Sequence, residues 1–201
     1  MENIKRREAL KRAAFLMGGA ISAPTIFGVL KGCSPKPGLD WNPTFFTEAQ
    51  ALSITRIAEL ILPETDTPGA KSLGVPAFIE EMVSLCLKPA DKTRFMEGLE
   101  KFEALCSKEY GKGFVELSKD VQMELLNGLN AKITKAEVIR DQPLDLGGME
   151  PFFWKIKELT IVGYYTSEYG ATQALQYQPI PVEYNGCVPL EKAGNGKTWA
   201  T

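Results

Sequence analysis

A strongly apolar helix is predicted by residues 151–165, which read Pro151-Phe152-Phe153-Trp154-Lys155-Ile156-Lys157-Glu158-Leu159-Thr160-Ile161-Val162-Gly163-Tyr164-Tyr165. Proline is favoured in the first turn of a helix, so Pro151 indicates where this helix begins. Apolar side chains lie nearly all round the predicted helix. It is therefore expected either to form the centre of the core or to be covered by a partner, and the sequence leaves both readings open.

Two helices are predicted near the start of the domain. The first runs from about Glu48 to Leu62 behind a capping box, in which Thr47 is followed three residues later by Gln50. The second begins at Pro76 and ends before a second proline at position 89. It is expected to bury the apolar residues Phe78, Ile79, Met82, Val83 and Leu85.

Two more helices follow. The third carries apolar residues from Phe95 to Cys106 and has a charged outer face. The fourth follows the capping residue Ser118, carries apolar residues as far as Leu129, and is expected to fray at Gly128 and Asn130. Cys106, and Cys86 before it, fall on apolar helix faces and are expected to be buried thiols.

The end of the chain has a different composition. The last thirty residues are rich in proline and glycine and predict a coil that wraps over another surface. No segment of useful length alternates as a strand does. The predicted fold class is therefore all-α, a small domain of about five helices with an extended, Pro-rich C-terminal tail.

The first 32 residues resemble an export signal, with a basic head and a short apolar middle broken by glycine and proline. Arg6 and Arg7 resemble the pair in the twin-arginine signal, which is read by a translocase for folded proteins. Leu30 to Cys33 resembles the lipobox of bacterial lipoproteins, which implies lipidation of Cys33. The alternative is an uncleaved N-terminal helix with an ordinary cysteine.

The domain organisation follows from this layout. Residues 1–32 are predicted to be the export signal, residues 33–44 a lipid-anchored flexible tether, and residues 45–201 a single helical domain. The expected location is the periplasmic side of a bacterial membrane, with the lipid as the anchor.

Charge and composition exclude several classes of function. Of 23 basic and 25 acidic residues, six basic and two acidic ones lie within residues 1–32, which leaves 17 and 23 in the rest of the chain. This net negative charge argues against a nucleic-acid partner. The chain has no histidine, which excludes histidine-ligated metals and Ser-His-Asp or Cys-His catalysis.

Catalytic motifs are also missing. Glu80 and Glu81 are adjacent and point to different sides of a helix, and Gly194-Asn195-Gly196 has no strand before it. No base accompanies the tyrosines of the apolar helix, so packing in a core or an interface is favoured over acid catalysis. No catalytic, metal-binding or cofactor-binding residue is predicted. The loop containing Asp66, Pro68 and Gly69 is expected to be tight and ordered.

Two stretches resemble one known family. Leu60-Ile61-Leu62-Pro63-Glu64-Thr65-Asp66-Thr67-Pro68-Gly69-Ala70, followed by Gly74-Val75-Pro76, resembles the N-terminal signature of the gluconate 2-dehydrogenase subunit 3 family. The C-terminal signature is similar to Gly163-Tyr164-Tyr165-Thr166-Ser167-Glu168, then Gly170-Ala171-Thr172, Tyr177, Pro179-Ile180-Pro181, Tyr184 and Gly186-Cys187.

The resemblance implies a non-catalytic small subunit of a membrane-associated sugar or sugar-acid dehydrogenase. It implies that FAD and the catalytic base belong to a large flavoprotein subunit of the glucose-methanol-choline type, and that in several such complexes a cytochrome c subunit passes electrons on. The small subunit then holds no cofactor and supplies the export signal. Its expected contact surface consists of aromatic residues, namely Phe152, Phe153, Trp154, Tyr164, Tyr165, Tyr169 and Tyr177.

Two other functions remain open from the residues alone. One is a free-standing lipoprotein that binds a small ligand or carbohydrate between the Thr65–Ala70 loop and the tyrosines. The other is an enzyme that pairs Glu168 with Tyr164 or Tyr165.

Overall fold

The computed structural model describes residues 39–137, 149–180, 187–192 and 196–200. The chain divides after Asn42 into two compact units. The first unit contributes only residues 39–42 to the described part, and these form no helix. The second unit, Pro43–Thr201, carries all the helices of the described part. The predicted export signal with Arg6 and Arg7, the predicted lipidation site Cys33 and the tether as far as residue 38 lie outside the described residues.

Five α-helices make up the described part of the second unit, and no β-strand occurs there. The predicted all-α class is therefore confirmed. Two π turns and one 3₁₀ turn, Phe114–Glu116, supplement the helices. The helices are α1 Glu48–Ile61, α2 Val75–Glu81, α3 Pro89–Tyr110, α4 Lys119–Glu137 and α5 Glu150–Thr166, and the π turns are Met82–Cys86 and Gly170–Ala174.

The start of α1 follows its sequence signal closely. The Thr47 side chain accepts a hydrogen bond from the Gln50 backbone N–H at 3.3 Å, and the Gln50 side chain accepts one from the Thr47 N–H at 3.0 Å. This reciprocal pair is the predicted capping box, and it satisfies two N–H groups that the helix leaves without partners. The helix ends at Ile61, two residues before Pro63.

The end of α2 differs from the prediction. A π turn follows Glu81, and the Leu87 N–H donates to the Met82 carbonyl, five residues earlier, at 3.1 Å. This wide turn shifts Cys86 off the face that the buried Ile79 and Val83 share, and Cys86 is exposed. Leu85 lies four residues after the exposed Glu81, on the opposite side of the helix, and is 80% exposed rather than buried. The predicted burial of these two residues is wrong.

The fourth helix is longer than its sequence suggested. It continues past Gly128 to Glu137 instead of fraying. Leu129 and Ile133, both beyond Gly128, are buried. Their packing outweighs the cost of one glycine inside a helix, which is only about 1 kcal/mol.

Helix α5 is the centre of the core. It packs against each of the other four helices and against the second π turn. The Phe152 ring, which is fully buried, lies edge-on to Phe95 with ring centroids 5.3 Å apart, and 5.7 Å from the Phe102 ring. A Cβ atom at Gly98 would lie only 2.5 Å from the Phe152 Cβ, so α3 and α5 approach closely at this point. The central-core reading of the apolar helix is therefore the one that the structure adopts.

A buried glutamine joins three elements of this core. The Gln122 side chain on α4 accepts a hydrogen bond from the Arg56 Nε of α1 at 2.8 Å. It also donates to the Phe114 carbonyl of the 3₁₀ turn at 2.9 Å. Both ends of the amide are therefore paired, as burial requires.

A buried carboxylate holds the segment that precedes α1. Glu80, on α2 and only 4% exposed, accepts hydrogen bonds through Oε1 from the backbone N–H groups of Thr44, Phe45 and Phe46 at 2.8, 2.7 and 3.0 Å. A charged acceptor strengthens such bonds and lowers the cost of burying the carboxylate. The second unit therefore has a fixed beginning, bonded to a helix more than thirty residues away in the sequence.

We predict that the Glu80→Gln variant unfolds more easily than the wild type. The neutral amide oxygen accepts more weakly from the three N–H groups than a carboxylate oxygen does, so a loss of about 1–3 kcal/mol in the free energy of unfolding is expected. Urea unfolding followed by circular dichroism measures it. The matched control is Glu81→Gln, at the exposed neighbouring position, where a change below about 0.5 kcal/mol is expected. Equal effects of the two variants would contradict this role for Glu80.

Candidate interaction surface

One face of α5 is apolar and yet open to solvent. Trp154, Ile161, Val162 and Tyr165 are each 37% to 41% exposed. Their spacing of seven, one and three residues places them on one side of the helix. We call this set the α5 stripe. The same helix thus buries one face in the core and presents the opposite face to solvent.

Charged residues near the α5 stripe are engaged within the chain. The Lys155 ammonium lies 4.8 Å from the centre of the Trp154 ring and forms an ion pair with Glu158. Lys157 donates to the Asn130 side chain of α4 at 2.8 Å. A partner that covers the stripe therefore meets apolar side chains together with the Lys155–Glu158 ion pair and the cation–π contact of Trp154.

The structure divides the predicted aromatic contact surface into two groups. Phe152, Phe153 and Tyr164 are buried within the chain's own core. Trp154 and Tyr165 are exposed on α5, and Tyr177, 59% exposed, lies beyond the second π turn. Tyr169 is half-buried. Of this predicted contact surface, Trp154, Tyr165 and Tyr177 are therefore the exposed residues that a partner could contact.

The tyrosines at the end of α5 form one cluster. The Tyr164 ring lies edge-on to Tyr165 and Tyr169, with centroids 5.4 and 6.4 Å apart. Ser167 links the helix to the π turn, since its hydroxyl donates to the Tyr164 carbonyl at 2.6 Å and accepts from the Gly170 N–H at 3.1 Å. A Cβ atom at Gly170 would lie 1.9 Å from the backbone carbonyl oxygen of Tyr164, so no other residue fits there without rearrangement.

The described part of the C-terminal tail returns to this end of the domain. The Gln176 N–H donates to the Thr198 carbonyl, and the Ala200 N–H donates to the Gln176 carbonyl, both at 2.8 Å. Lys197 donates to the Gln173 carbonyl. The tail thus closes back on the residues just after the second π turn. Pro181, Tyr184, Gly186, Gly194 and Asn195 lie outside the described residues.

The loop between α1 and α2 is held by a single carboxylate. Glu59 accepts from the Glu64 N–H at 3.3 Å through one oxygen and from the Lys71 N–H at 3.2 Å through the other. The Ala70 N–H donates to the Leu62 carbonyl at 2.8 Å, which closes the base of the loop. The loop is therefore anchored by hydrogen bonds at both ends.

The three residues singled out in this loop occupy different environments. Asp66 is exposed and accepts a hydrogen bond from the Thr65 hydroxyl at 3.0 Å, rather than from backbone amides. Pro68 is half-buried, and Gly69 is buried. The tyrosine cluster is not bonded to this loop by any hydrogen bond or ring contact seen in the described residues.

We predict that Gly69→Ala loosens this loop. The new Cβ would lie 2.6 Å from the Glu64 backbone nitrogen and 3.1 Å from a Glu59 oxygen, so the Glu59 hydrogen bonds must shift. Hydrogen exchange at the Ala70 amide should accelerate, and the free energy of unfolding should fall by about 1–3 kcal/mol. Gly113→Ala is the control, because a Cβ there meets no atom within 4 Å. Unchanged exchange at Ala70 would refute the steric argument.

The described thiols differ in environment. Cys86 and Cys187 are exposed, whereas Cys106 is buried, as its position on an apolar face predicted. Burial, followed by the nearby charge of Glu103, raises the pKa of the Cys106 thiol to about 11. The pKa of Glu103 is itself raised, mainly by burial. No group of three metal-ligating side chains occurs among the described residues.

We predict selective alkylation of the thiols. Iodoacetamide reacts with the thiolate, and Cys106 stays protonated until the pH approaches about 11. In the folded chain at pH 8 we therefore expect labelling of Cys86 and Cys187 but not of Cys106, measured by peptide mass spectrometry. In urea Cys106 should react as well, which serves as the control. Labelling of Cys106 in the folded chain at a rate equal to that of Cys86 would contradict its burial.

Two features of this surface have little signal in the sequence. The exposure of the α5 stripe is hidden because the helix is apolar on both faces. In the sequence Glu80 looks like an ordinary surface glutamate. Its position beside the buried Ile79 on an apolar helix is a weak indication that Glu80 is buried as well.

These features define an all-α domain with a central helix that serves both as core and as an exposed apolar face. The chain belongs to the gluconate 2-dehydrogenase subunit 3 family, whose model matches residues 48–183. The matched region contains all five helices of the described part and the start of the tail. The family resemblance of the two sequence signatures is thereby confirmed.

No curated protein and no solved structure matches the chain closely enough to add to this assignment. Within the described residues, no helix is both long enough and apolar enough to cross a membrane.

Proposed function

We propose that this chain is the non-catalytic small subunit of a membrane-associated, FAD-dependent dehydrogenase complex on the periplasmic side. Membership in a family named for a dehydrogenase subunit supports a role within such a complex. The observation that carries the proposal is the α5 stripe, because a monomer rarely leaves the apolar face of its central helix open to water.

The chemistry of the α5 stripe suits a protein partner. Trp154 and Tyr165 are the residue types that most often dominate binding energy at interfaces. Ile161 and Val162 lie between them and add apolar area without charge. A partner helix or sheet laid along the stripe would complete the burial of α5, so both readings of the apolar helix would then hold, each for one face.

In this proposal the reaction belongs to the partner. A large flavoprotein of the glucose-methanol-choline type carries FAD and the catalytic base, and a cytochrome c subunit is a further candidate member. The absence of histidine from the chain supports a non-catalytic role. The substrate, a sugar or sugar acid, would then be selected by the partner.

Export is the second part of the proposed role. A flavoprotein folds around FAD in the cytoplasm, so it crosses a membrane only as folded cargo. The paired Arg6 and Arg7 resemble the signal for such transport, and one signal serves two bound chains. Lipidation of Cys33 would then hold the exported complex at the membrane.

We predict that the tagged protein, drawn from its native host in mild detergent, brings with it a large subunit with oxidised-flavin absorption. The double variant Ile161→Asp/Val162→Asp should reduce recovery of that subunit at least about tenfold, because two charges would be buried in an apolar contact. The readouts are the visible spectrum and the subunit masses of the eluate.

The matched control for this experiment is Val115→Asp, since Val115 is similarly exposed, at 42%, but lies in the 3₁₀ turn. Circular dichroism of each variant checks that the fold is kept. Recovery of a lone lipidated chain without flavin would reject the proposal and favour a free-standing binding lipoprotein. Full recovery by the double variant would reject the stripe as the contact surface.

A further inference from the structure

A second surface patch, which combines apolar and basic side chains, lies where the folded unit begins. It consists of Phe45, Leu85, Lys88 and Lys92, and we call it the Leu85 patch. Leu85 is 80% exposed, the highest value among the large apolar side chains of the described residues, and Phe45 is 36% exposed. Leu85 lies four residues after the exposed Glu81, on the side of the helix that faces away from the buried Ile79 and Val83.

The members of the Leu85 patch are held together by contacts that the structure shows. The Lys92 ammonium lies 5.6 Å from the centre of the Phe45 ring and donates to the carbonyl of Ser84, the neighbour of Leu85. The backbone N–H of Lys92 donates to the Lys88 carbonyl at 2.9 Å. Glu80 fixes the backbone of Phe45. Lys92 thus links Phe45 to the backbone next to Leu85, and Lys88 precedes it by one turn of α3.

The charge of the patch is opposite to that of the domain. Outside residues 1–32 the chain carries 17 basic and 23 acidic residues, so it is acidic overall. At the start of α3, Arg94 is 3.7 Å from Asp91, and these two charges offset each other. Lys88 and Lys92 remain beside the apolar residues, with Glu81 about one turn before Leu85. Basic and apolar side chains in one patch are typical of surfaces that contact anionic lipid.

The position of the patch along the chain points to the same occupant. Nine residues, 34–42, separate Cys33 from Pro43, where the folded unit begins. A chain of that length spans at most about 35 Å, so a lipid on Cys33 would keep Phe45 near the bilayer. A role for the patch at the membrane rests on the lipid anchor of the proposed function.

We propose that the Leu85 patch is a second membrane contact. Leu85 and Phe45 enter the headgroup region of an anionic bilayer, and Lys88 and Lys92 bind lipid phosphates. A lipid on Cys33 would hold the domain through a flexible tether and leave it free to rotate, and a second contact would fix its orientation. The patch would therefore set which side of the domain faces the membrane. At the α5 stripe the two charges, Lys155 and Glu158, pair with each other, so that surface fits a protein partner instead.

The test uses the full-length chain and a local fluorescent probe. Cys86 is exposed next to Leu85, and Cys187 is exposed in the tail, so each accepts an environment-sensitive thiol dye when the other is changed to serine. Cys33 is kept, because the lipid would occupy its sulfur. Vesicles of phosphatidylcholine mixed with phosphatidylglycerol should shift the emission of the Cys86 dye to the blue, and pure phosphatidylcholine should not. The Cys187 dye should respond to neither. A local probe separates this contact from any binding by the N-terminal apolar segment.

The variant Lys88→Glu should weaken the response of the Cys86 dye to anionic vesicles about tenfold or more. Lys88 is the N-cap of α3, and an acid beside a helix N-terminus is favourable, so the helix should be kept, as circular dichroism will show. The matched control is Lys112→Glu, an exposed lysine beyond the other end of α3.

Three results would overturn the proposal: no shift of the Cys86 dye, equal shifts of both dyes, or an unchanged response in Lys88→Glu. A shift that appears only when the flavoprotein is added would assign the patch to the partner instead. Failure of the proposed dehydrogenase role would be seen separately, as missing flavin in the purified complex, and would leave the vesicle result unaffected.

Discussion

The close packing of α3 against α5 is the contact on which the rest of the domain depends. Gly98 lets the two helices approach so closely that a Cβ atom at position 98 would lie only 2.5 Å from the Phe152 Cβ. Phe152 then reaches both Phe95 and Phe102, and the aromatic contact continues from Phe102 to Phe114 in the 3₁₀ turn, with ring centroids 5.0 Å apart. Because α5 also packs against α1, α2 and α4, a disturbance at this crossing would reach every helix.

Placing α5 at the centre of the core leaves an apolar outer face that the described part of the domain does not cover. A helix that packs against four others on its inner side still has an outer side, and here that side carries Trp154, Ile161, Val162 and Tyr165. In a free-standing domain such a face would favour polar residues. An apolar outer face is understandable when another chain covers it, which is why the family's association with a dehydrogenase complex and the helix geometry support the same proposal.

Two carboxylates of this domain act on the backbone. Glu80 binds the amides before α1, and Glu59 binds the amides of the loop between α1 and α2. Both carboxylates hold irregular segments that have no repeating hydrogen bonds of their own. The two glutamates therefore contribute to architecture, and neither lies in a cluster with metal-ligating character among the described residues.

Local sequence was sufficient for the features that depend on nearest neighbours. The capping box of α1, the prolines at helix starts and the all-α class were all predictable, because caps and helical spacing involve residues within one or two turns. The same local reasoning identified the loop of Asp66, Pro68 and Gly69 as a turn-forming segment, and the family signatures made the relationship visible.

Other features were decided only by the tertiary structure. Cys86 was expected to be buried, and a π turn, which has no reliable sequence signal, moved it off the buried face. Leu85 was expected to be buried as well, but it lies on the same side of the helix as the exposed Glu81. Helix α4 was expected to fray at Gly128 and Asn130, and burial of Ile133 beyond them extended it. The sequence of α5 allowed either a core or a partner-covered helix, since periodicity cannot assign faces when both are apolar. By itself, the sequence determined which segments are helical and to which family they belong. The packing of distant segments decided which apolar side chains stay in water and which carboxylate holds the beginning of the fold, because both depend on contacts between residues far apart in the chain.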